Sequence, residues 1–575
     1  MPFIPGLIAG ALGLGLIGEA VIGVALSVGA GFAARALTPK PDPVGLRSSP
    51  LRLTLDSDPP REIIFGRAAT AGHLVYHRTY GNKNSILQLV IALADHPSQS
   101  LEQLFVNGTP YARNASTGEV DGFGGKLWVH FFDGSQTTAP VNLVNNSGGL
   151  WGSSDIFRNG TFAFVEAIFD DNLFPGGIPK FVFVVDGMKL YDWRKDSTAG
   201  GSGAHRWDNQ ATWEWSDNPL LAWYLVRRGY FSGGERIFGM ETPAAALPLA
   251  AATTAANACD SLVDLAAGGT EKRYTVNGVM QCEGVAPREA IRAILSACAG
   301  KEIDSGGEVR LLPGVAQSPA MSLTDGDLIS TADLEFSPHR PRSQLVNAVF
   351  GSFRDRTQMY KRMSLPPRIS SDDEEADGGR FDATYDLAYV TGGTQGQRVM
   401  EILRRLGRQQ ATVSATVRAR FAVLEAGDWI SWTSSRFGWE SKTFEVISVS
   451  VNPDLTVSLK LQEISSSVYA WDEDEDELEL TAPSDLPSGS PPDADIENLD
   501  LDYALLDTPT DEQRPGLHLT WDPPEDPTID YLIVQYRAVG SVAAPLEISV
   551  LDPEAGSHTW ISGVQGGQQY EARVR

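Results

Sequence analysis

The sequence predicts a mainly β, multidomain chain with α+β segments, and three observations predict it. At 575 residues it is too long for a single hydrophobic core, so about three to five domains are expected. Its 57 glycines and 35 prolines favour turns and short strands over long helices. Its apolar runs are mostly short and bounded by turn residues, and only a few windows repeat at helical spacing.

Charge and cysteine usage narrow the function. The formal net charge is −27. Neutralising phosphates needs clustered Lys and Arg, so specific nucleic-acid binding is not expected. Cys259, Cys282 and Cys298 are the only cysteines. An odd number without CxxC or Cys/His spacing argues against a disulfide framework and a zinc site.

Residues 6–34 are almost wholly small and apolar, with Glu19 the only charge. The run is long enough to span a bilayer but lacks the basic start of a signal peptide. Ala11, Gly15, Glu19, Gly23, Ser27 and Gly31 recur every fourth residue. On a helix they form a small-residue stripe that lets backbones approach closely, so self-association of a helix over residues 1–37 is expected. A membrane anchor, a plug within an assembly and a segment entering a host membrane all fit this pattern. The proline-rich residues 38–49 read as a linker.

Residues 50–235 read as a first β-rich domain, with a Gly-, Asn- and Ser-rich loop insertion near 109–160. Ile63-Ile64-Phe65 and Leu74-Val75-Tyr76 read as paired strands, and Leu87 to Ala94 as a buried one. Asp170, Asp171 and Asn172 lack the spacing of a calcium loop and read as a polar turn. The stretch 207–225 places Trp207, Trp213, Trp215 and Trp223 around a helix start. Asp217 or Asn218 suits the cap and Pro219 the first helical position. For stability alone, a large aromatic core at a domain corner accounts for this pattern.

Residues 236–324 read as a small helical α+β domain, with an amphipathic helix opened by Pro287 and carrying Ile291, Ile294, Leu295 and Cys298 on one face. Residues 325–470 read as a second β-rich domain. Its helix from Thr394 to Gln410 sets Val399, Ile402, Leu403 and Leu406 on one face and Arg398, Arg404, Arg405 and Arg408 elsewhere. Basic residues late in a helix complement its dipole. Thr412 to Phe421 alternates as a strand. Residues 471–493, with the six acids Asp472 to Glu477, read as a solvated linker. Residues 494–575 resemble a fibronectin type III domain: Trp521 is the buried tryptophan and Tyr570 takes the tyrosine-corner position. The chain stops where a last strand of such a domain is expected.

No GxSxG, HExxH or P-loop occurs in the required context, and no nucleophile–His–Asp set is indicated by spacing. Neither an enzyme nor a cofactor or metal is expected.

Several motifs taken in order resemble one family. They are Arg61-x-Ile63-x-Phe65-Gly66-Arg67, the strand Leu87 to Ala94, Val106-Asn107-Gly108, and Gly187-x-Lys189-x-Tyr191-Asp192. Trp207-Asp208, Trp213-x-Trp215-Ser216-Asp217-Asn218-Pro219 with Trp223, and Gly427-Asp428-x-Ile430 follow. The series is similar to the siphophage tail-tip central hub, the lambda-type host-specificity or tip attachment proteins. The resemblance implies tail-tube-like β-barrel domains in a homotrimer that caps the tail tube and forms part of the DNA ejection conduit. It implies contacts with the distal tail protein, the tape measure protein and other tail-tip proteins. It also implies a central fibre reaching a host cell-surface receptor through its distal part, and host-membrane contact by the N-terminal segment as an extension. The location implied is the virion tail tip, after synthesis in the host cytoplasm. The alternative is a secreted or membrane-anchored cell-surface carbohydrate-active enzyme with a fibronectin accessory domain. A pore-forming protein is disfavoured by the single apolar span.

Overall fold

The computed structural model describes residues 60–170, 172–174, 177–282, 286–480, 498–507, 513–522, 532–541, 545–550 and 555–574. The N-terminal stripe, the 38–49 linker and Asp171 lie outside the described residues. The chain is mainly β with several helices and divides into two compact units, Met1–Leu480 and Thr481–Arg575. Among the described residues no helix is long and apolar enough to cross a membrane.

Two sheets face each other at the start of the first unit. One orders His73–Tyr80, Ile86–Ala94, Thr161–Ile168 and Leu127–Phe132, all antiparallel. The other is built on Phe181–Leu190, which pairs with Ser98–Val106, Arg67–Thr70 and Glu214–Trp215. Side chains alternate across a strand, so Leu89, Ile91 and Val165 of one sheet meet Leu104, Phe183 and Val185 of the other in a closed core. Val90, Phe162 and Phe164 point the opposite way. They are covered by Leu143 of helix α1 (Val141–Asn146) and by Trp151 and Phe157. The 109–160 segment is therefore not merely loops: it adds the strands Thr109–Tyr111 and Leu127–Phe132 and a helical lid. A second correction concerns pairing. Glu62–Phe65 does not pair with the strand of Leu74; it pairs antiparallel with Gly278–Gln281, setting Ile63 opposite Met280.

Helices α2 (Pro219–Arg228), α3 (Leu249–Asp260) and α4 (Pro287–Ala297) pack beside this pair of sheets. A hairpin of Lys301–Ser305 and Glu308–Leu312 follows. Helix α5 (Ser371–Asp377) and helix α6 (Gly393–Gly407) accompany a sheet centred on Ala348–Asp355, and α6 packs on that strand. One continuous buried cluster runs through these elements, from Ile63 to Val468.

The third assembly is a six-stranded sheet ordered Met321–Thr324, Trp429–Ser434, Trp439–Val451, Val457–Glu463, Thr412–Val417, Glu335–Ser337. Just past one edge strand, Leu328 bridges Val417, which joins the two sides of the sheet around Trp432, Phe444, Val446 and Leu461. Phe421, expected on a strand, lies instead on the 3-10 turn Ala419–Val423 and is buried in this core. The described residues of the second unit form two three-stranded antiparallel sheets. Asp500–Asp507, Gln513–Thr520 and Ser557–Trp560 form one; Leu546–Val550, Leu532–Ala538 and Tyr570–Val574 form the other.

Candidate functional site

The tryptophan corner starts from a cap. Asn218 is fully buried with extended φ and ψ, and its Oδ1 accepts the Leu220 N–H at 2.9 Å, which satisfies an orphan donor of α2. Its Nδ2 donates to the Ala256 carbonyl on α3 at 2.9 Å. An amide can serve both ends and a carboxylate cannot. Asn218, not Asp217, is the cap. Asp217 instead accepts from Lys272 Nζ at 2.8 Å, and Lys272 also reaches Asp260. Pro219 occupies the first helical turn and is buried.

Three of the four tryptophans place the indole N–H on a separate acceptor, as an indole N–H turned away from water requires. Trp213 Nε1 donates to the Arg206 carbonyl at 2.8 Å and Trp215 Nε1 to the Gly66 carbonyl at 3.2 Å. Trp223 Nε1 donates to Glu302 Oε1 at 2.6 Å, and Arg227 Nε reaches the same oxygen at 2.8 Å. Trp207 is half-buried, with the Arg228 guanidinium 4.5 Å from its ring centre and Tyr191, Trp213 and Tyr224 around it. Beneath them Asp196 accepts from Tyr191 Oη at 2.7 Å, from Thr198 and from Arg206. Burial pushes the Asp196 carboxyl up, but the hydrogen bonds from Thr198 and Tyr191 and the Arg206 charge outweigh it and hold it at about 2.

The Gly427 turn meets the same hairpin from the other side. Gly427 has φ +89, and a Cβ there would run into Ile303 and stand 2.7 Å from Leu312 Cδ1. Successive side chains on a strand point to opposite faces. Glu302 therefore reaches α2 while Ile303 packs under Gly427. Arg310 pairs with Glu425 and Lys301 with Glu445 across the same junction. The Asp428 carboxylate braces its own turn, accepting from the Glu425 N–H at 2.8 Å, and its carbonyl accepts the Val446 N–H at 2.8 Å. The hairpin thus joins two motifs far apart in sequence. The sequence pattern gives Val309 to Leu312 as a strand, as found, but nothing in its spacing marks Glu302 or Ile303 as shared between the two motifs.

The acidic run corrects an expectation. Residues 471–480 are not a free solvated linker but a strap laid along α6. Gln397 Nε2 donates to the Leu478 carbonyl at 2.9 Å, and its Oε1 accepts the Leu478 N–H at 2.8 Å. Asp476 takes Arg405 Nη2 at 3.0 Å, and the guanidinium groups of Arg368 and Arg398 lie 5.5 and 5.6 Å from the Trp471 ring centre. Arg398 is 1% exposed and donates to Glu271 and the Arg273 carbonyl. Arg404 and Arg408 bind Asp373 and Asp377 of α5. These cations neutralise carboxylates rather than only complementing a helix dipole.

Trp521 and Tyr570 belong to the second unit. Trp521 is buried, and Tyr570 Oη donates to the Gly563 carbonyl at 3.2 Å while accepting the Gln565 N–H at 2.9 Å. Among the described residues no group of His, Cys, Asp and Glu has metal-holding geometry, and Asp170 pairs with Lys126.

Residues 286–449 match a family described as putative phage tail protein. That segment begins at α4, contains the hairpin and the Gly427 turn, and ends in the six-stranded sheet. The fold of the chain is similar to that of a chain from the virion of a native gene transfer agent particle. The two are 16% identical with a TM-score of 0.50, over 83% of this chain and 100% of that one. A 43 kDa tail protein of prophage MuSo2 from Shewanella oneidensis aligns with a TM-score of 0.25 at 8% identity, over 71% of this chain and 99% of that one. The prophage tail protein gp18 from Listeria monocytogenes EGD-e aligns at 0.20 and 9%, over 67% and 86%. Those two alignments carry no weight in the fold assignment. No curated protein matches the chain.

Proposed function

We propose that this chain is a structural protein of a phage-type tail, acting as the central hub of the tail tip. The observation that carries the reading is the junction at the Lys301–Leu312 hairpin. It fastens the rolled six-stranded sheet to a helical core that also takes in Ile63, Phe65, Met188 and Leu190 of the two-sheet domain, and it lies within the segment matching phage tail proteins. Two β domains held on a shared core suit a part that transmits load between a tube and a fibre. The fold shared with a gene transfer agent virion chain supports placement in a particle. In this reading three copies assemble, the β domains surround the DNA path, and the distal tail and tape measure proteins are neighbours. The two three-stranded sheets, buried Trp521 and the Tyr570–Gly563 bond support reading residues 494–575 as a fibronectin type III domain leading toward the host.

Two measurements test this. Gold-labelled antibody against residues 494–575 should decorate the tail end of intact particles. Decoration of the head or along the tube would overturn the tip placement. Light scattering of the full chain should give a mass near three times 62.0 kDa, falling when residues 1–37 are removed.

A further inference from the structure

Beside the tryptophan corner lies an open groove of about 450 Å³, toward the small end of ligand pockets, which run about 300–1,000 Å³. Its walls come from three places: Trp207 to Gln210, the turn carrying Phe231 and Ser232, and Asn159 at the end of the 109–160 insertion. Two bonds close the walls on each other. Asn159 Nδ2 donates to Ser232 Oγ at 3.3 Å, and Gln210 Nε2 donates to the Phe231 carbonyl at 2.8 Å.

Those bonds engage one end of each amide, and among the described residues the other end has no partner. Asn159 keeps its Oδ1 and Gln210 its Oε1 as acceptors. Asn209 spends its Oδ1 on the Ala211 N–H at 3.2 Å, which leaves its Nδ2 as a donor. Asp208 is exposed, and among the described residues it has no cation partner and the Trp207 indole N–H has no acceptor. The groove therefore presents mixed donors and acceptors beside the Trp207 and Phe231 rings. The Arg228 guanidinium and the surrounding aromatic side chains hold Trp207 in place.

We infer that this groove binds a neutral oligosaccharide. A pyranose ring offers an apolar C–H face for the aromatic side chains. Its hydroxyls each donate and accept, which matches amides with one free end of either kind. Among the described residues of the wall Asp208 is the one charged group, so an anionic glycan is repelled and a flat apolar peptide would leave the amides unpaired. The inference does not depend on the tail-hub reading.

The test is binding of the full chain to immobilised neutral glycans built on glucose, mannose, galactose and N-acetylglucosamine, with polygalacturonate as the charged control. At least one neutral glycan is expected to bind. The Asp208→Ala/Gln210→Ala pair, both exposed and outside the core, should weaken that binding at least tenfold with an unchanged circular dichroism spectrum. Trp207→Phe should weaken it less than that pair, because the aromatic surface remains. Absence of binding to every neutral probe, binding to polygalacturonate alone, or unchanged affinity in the double variant would each overturn the proposal.

Discussion

Asn218 shows how much one side chain decides. Its acceptor starts α2 and its donor ties α2 to α3 in a site without water access. Asn218→Asp keeps the cap but sets a carboxylate oxygen against the Ala256 carbonyl. The expected loss is at least ~2 kcal/mol by urea unfolding, larger than for Asn218→Ser. Gly427→Ala should cost about 1–3 kcal/mol, since it meets both a left-handed φ and Ile303. Adding Ile303→Ala should recover part of that cost; a purely additive double mutant would show that the clash is not with Ile303. His96 gives a pH dependence with a definite sign. It is fully buried, its Nε2 accepts the Ile64 N–H at 2.9 Å and its Nδ1 faces the Pro97 carbonyl at 2.9 Å, so only the neutral ring fits. Burial lowers its value from 6.5 to about 4. The unfolded chain takes up a proton below 6.5 that the folded chain refuses. Stability from this group is full above pH 6.5 and falls as pH drops toward 4, by on the order of 3 kcal/mol. His96→Gln should flatten that part of the stability–pH curve; an unchanged slope would exclude His96 as its origin.

At the scale of elements, the strap on α6 makes a separable prediction. Its contacts are charge-assisted bonds to Arg368 and Arg405 plus the paired bonds of Gln397. Arg405→Gln should weaken docking by roughly 1–2 kcal/mol. Hydrogen exchange should then speed up over residues 471–480 and stay unchanged in the six-stranded sheet. Added salt should act in the same direction in the unmodified protein. Exchange unaffected by both would mean that packing of Trp471, not charge, holds the strap. The run of acids could not reveal this. In sequence it has the signature of a solvated tail, and its partners, Arg368, Gln397 and Arg405, are supplied by a helix and strand that only the fold brings alongside.

At the scale of the molecule, the shared cluster from Ile63 to Val468 has a consequence for dissection. A fragment of residues 325–470 keeps five strands of the six-stranded sheet but loses the edge strand Met321–Thr324, Ile303 and Leu312 under Gly427, and the α4 neighbours of α6. It should show weakened near-ultraviolet circular dichroism and bind a hydrophobic dye, whereas residues 60–480 should unfold in one cooperative step. A fragment with native signals would show that the hairpin joins two self-sufficient domains.

Local pattern alone determined the mainly β class, the start of α2 at Pro219, the helix opened by Pro287 and the apolar face of α6. Those features rest on backbone preference and periodicity within a few residues, which a chain carries wherever it is. The structure alone decided that the strand of Ile63 pairs with Gly278–Gln281, that the 109–160 insertion covers a sheet face, and that Arg398 is buried. It alone placed Trp223 and Gly427 on opposite faces of one hairpin. Those are meetings between distant segments, set by which surfaces remain to be covered after the local elements form, and no spacing along the chain encodes them.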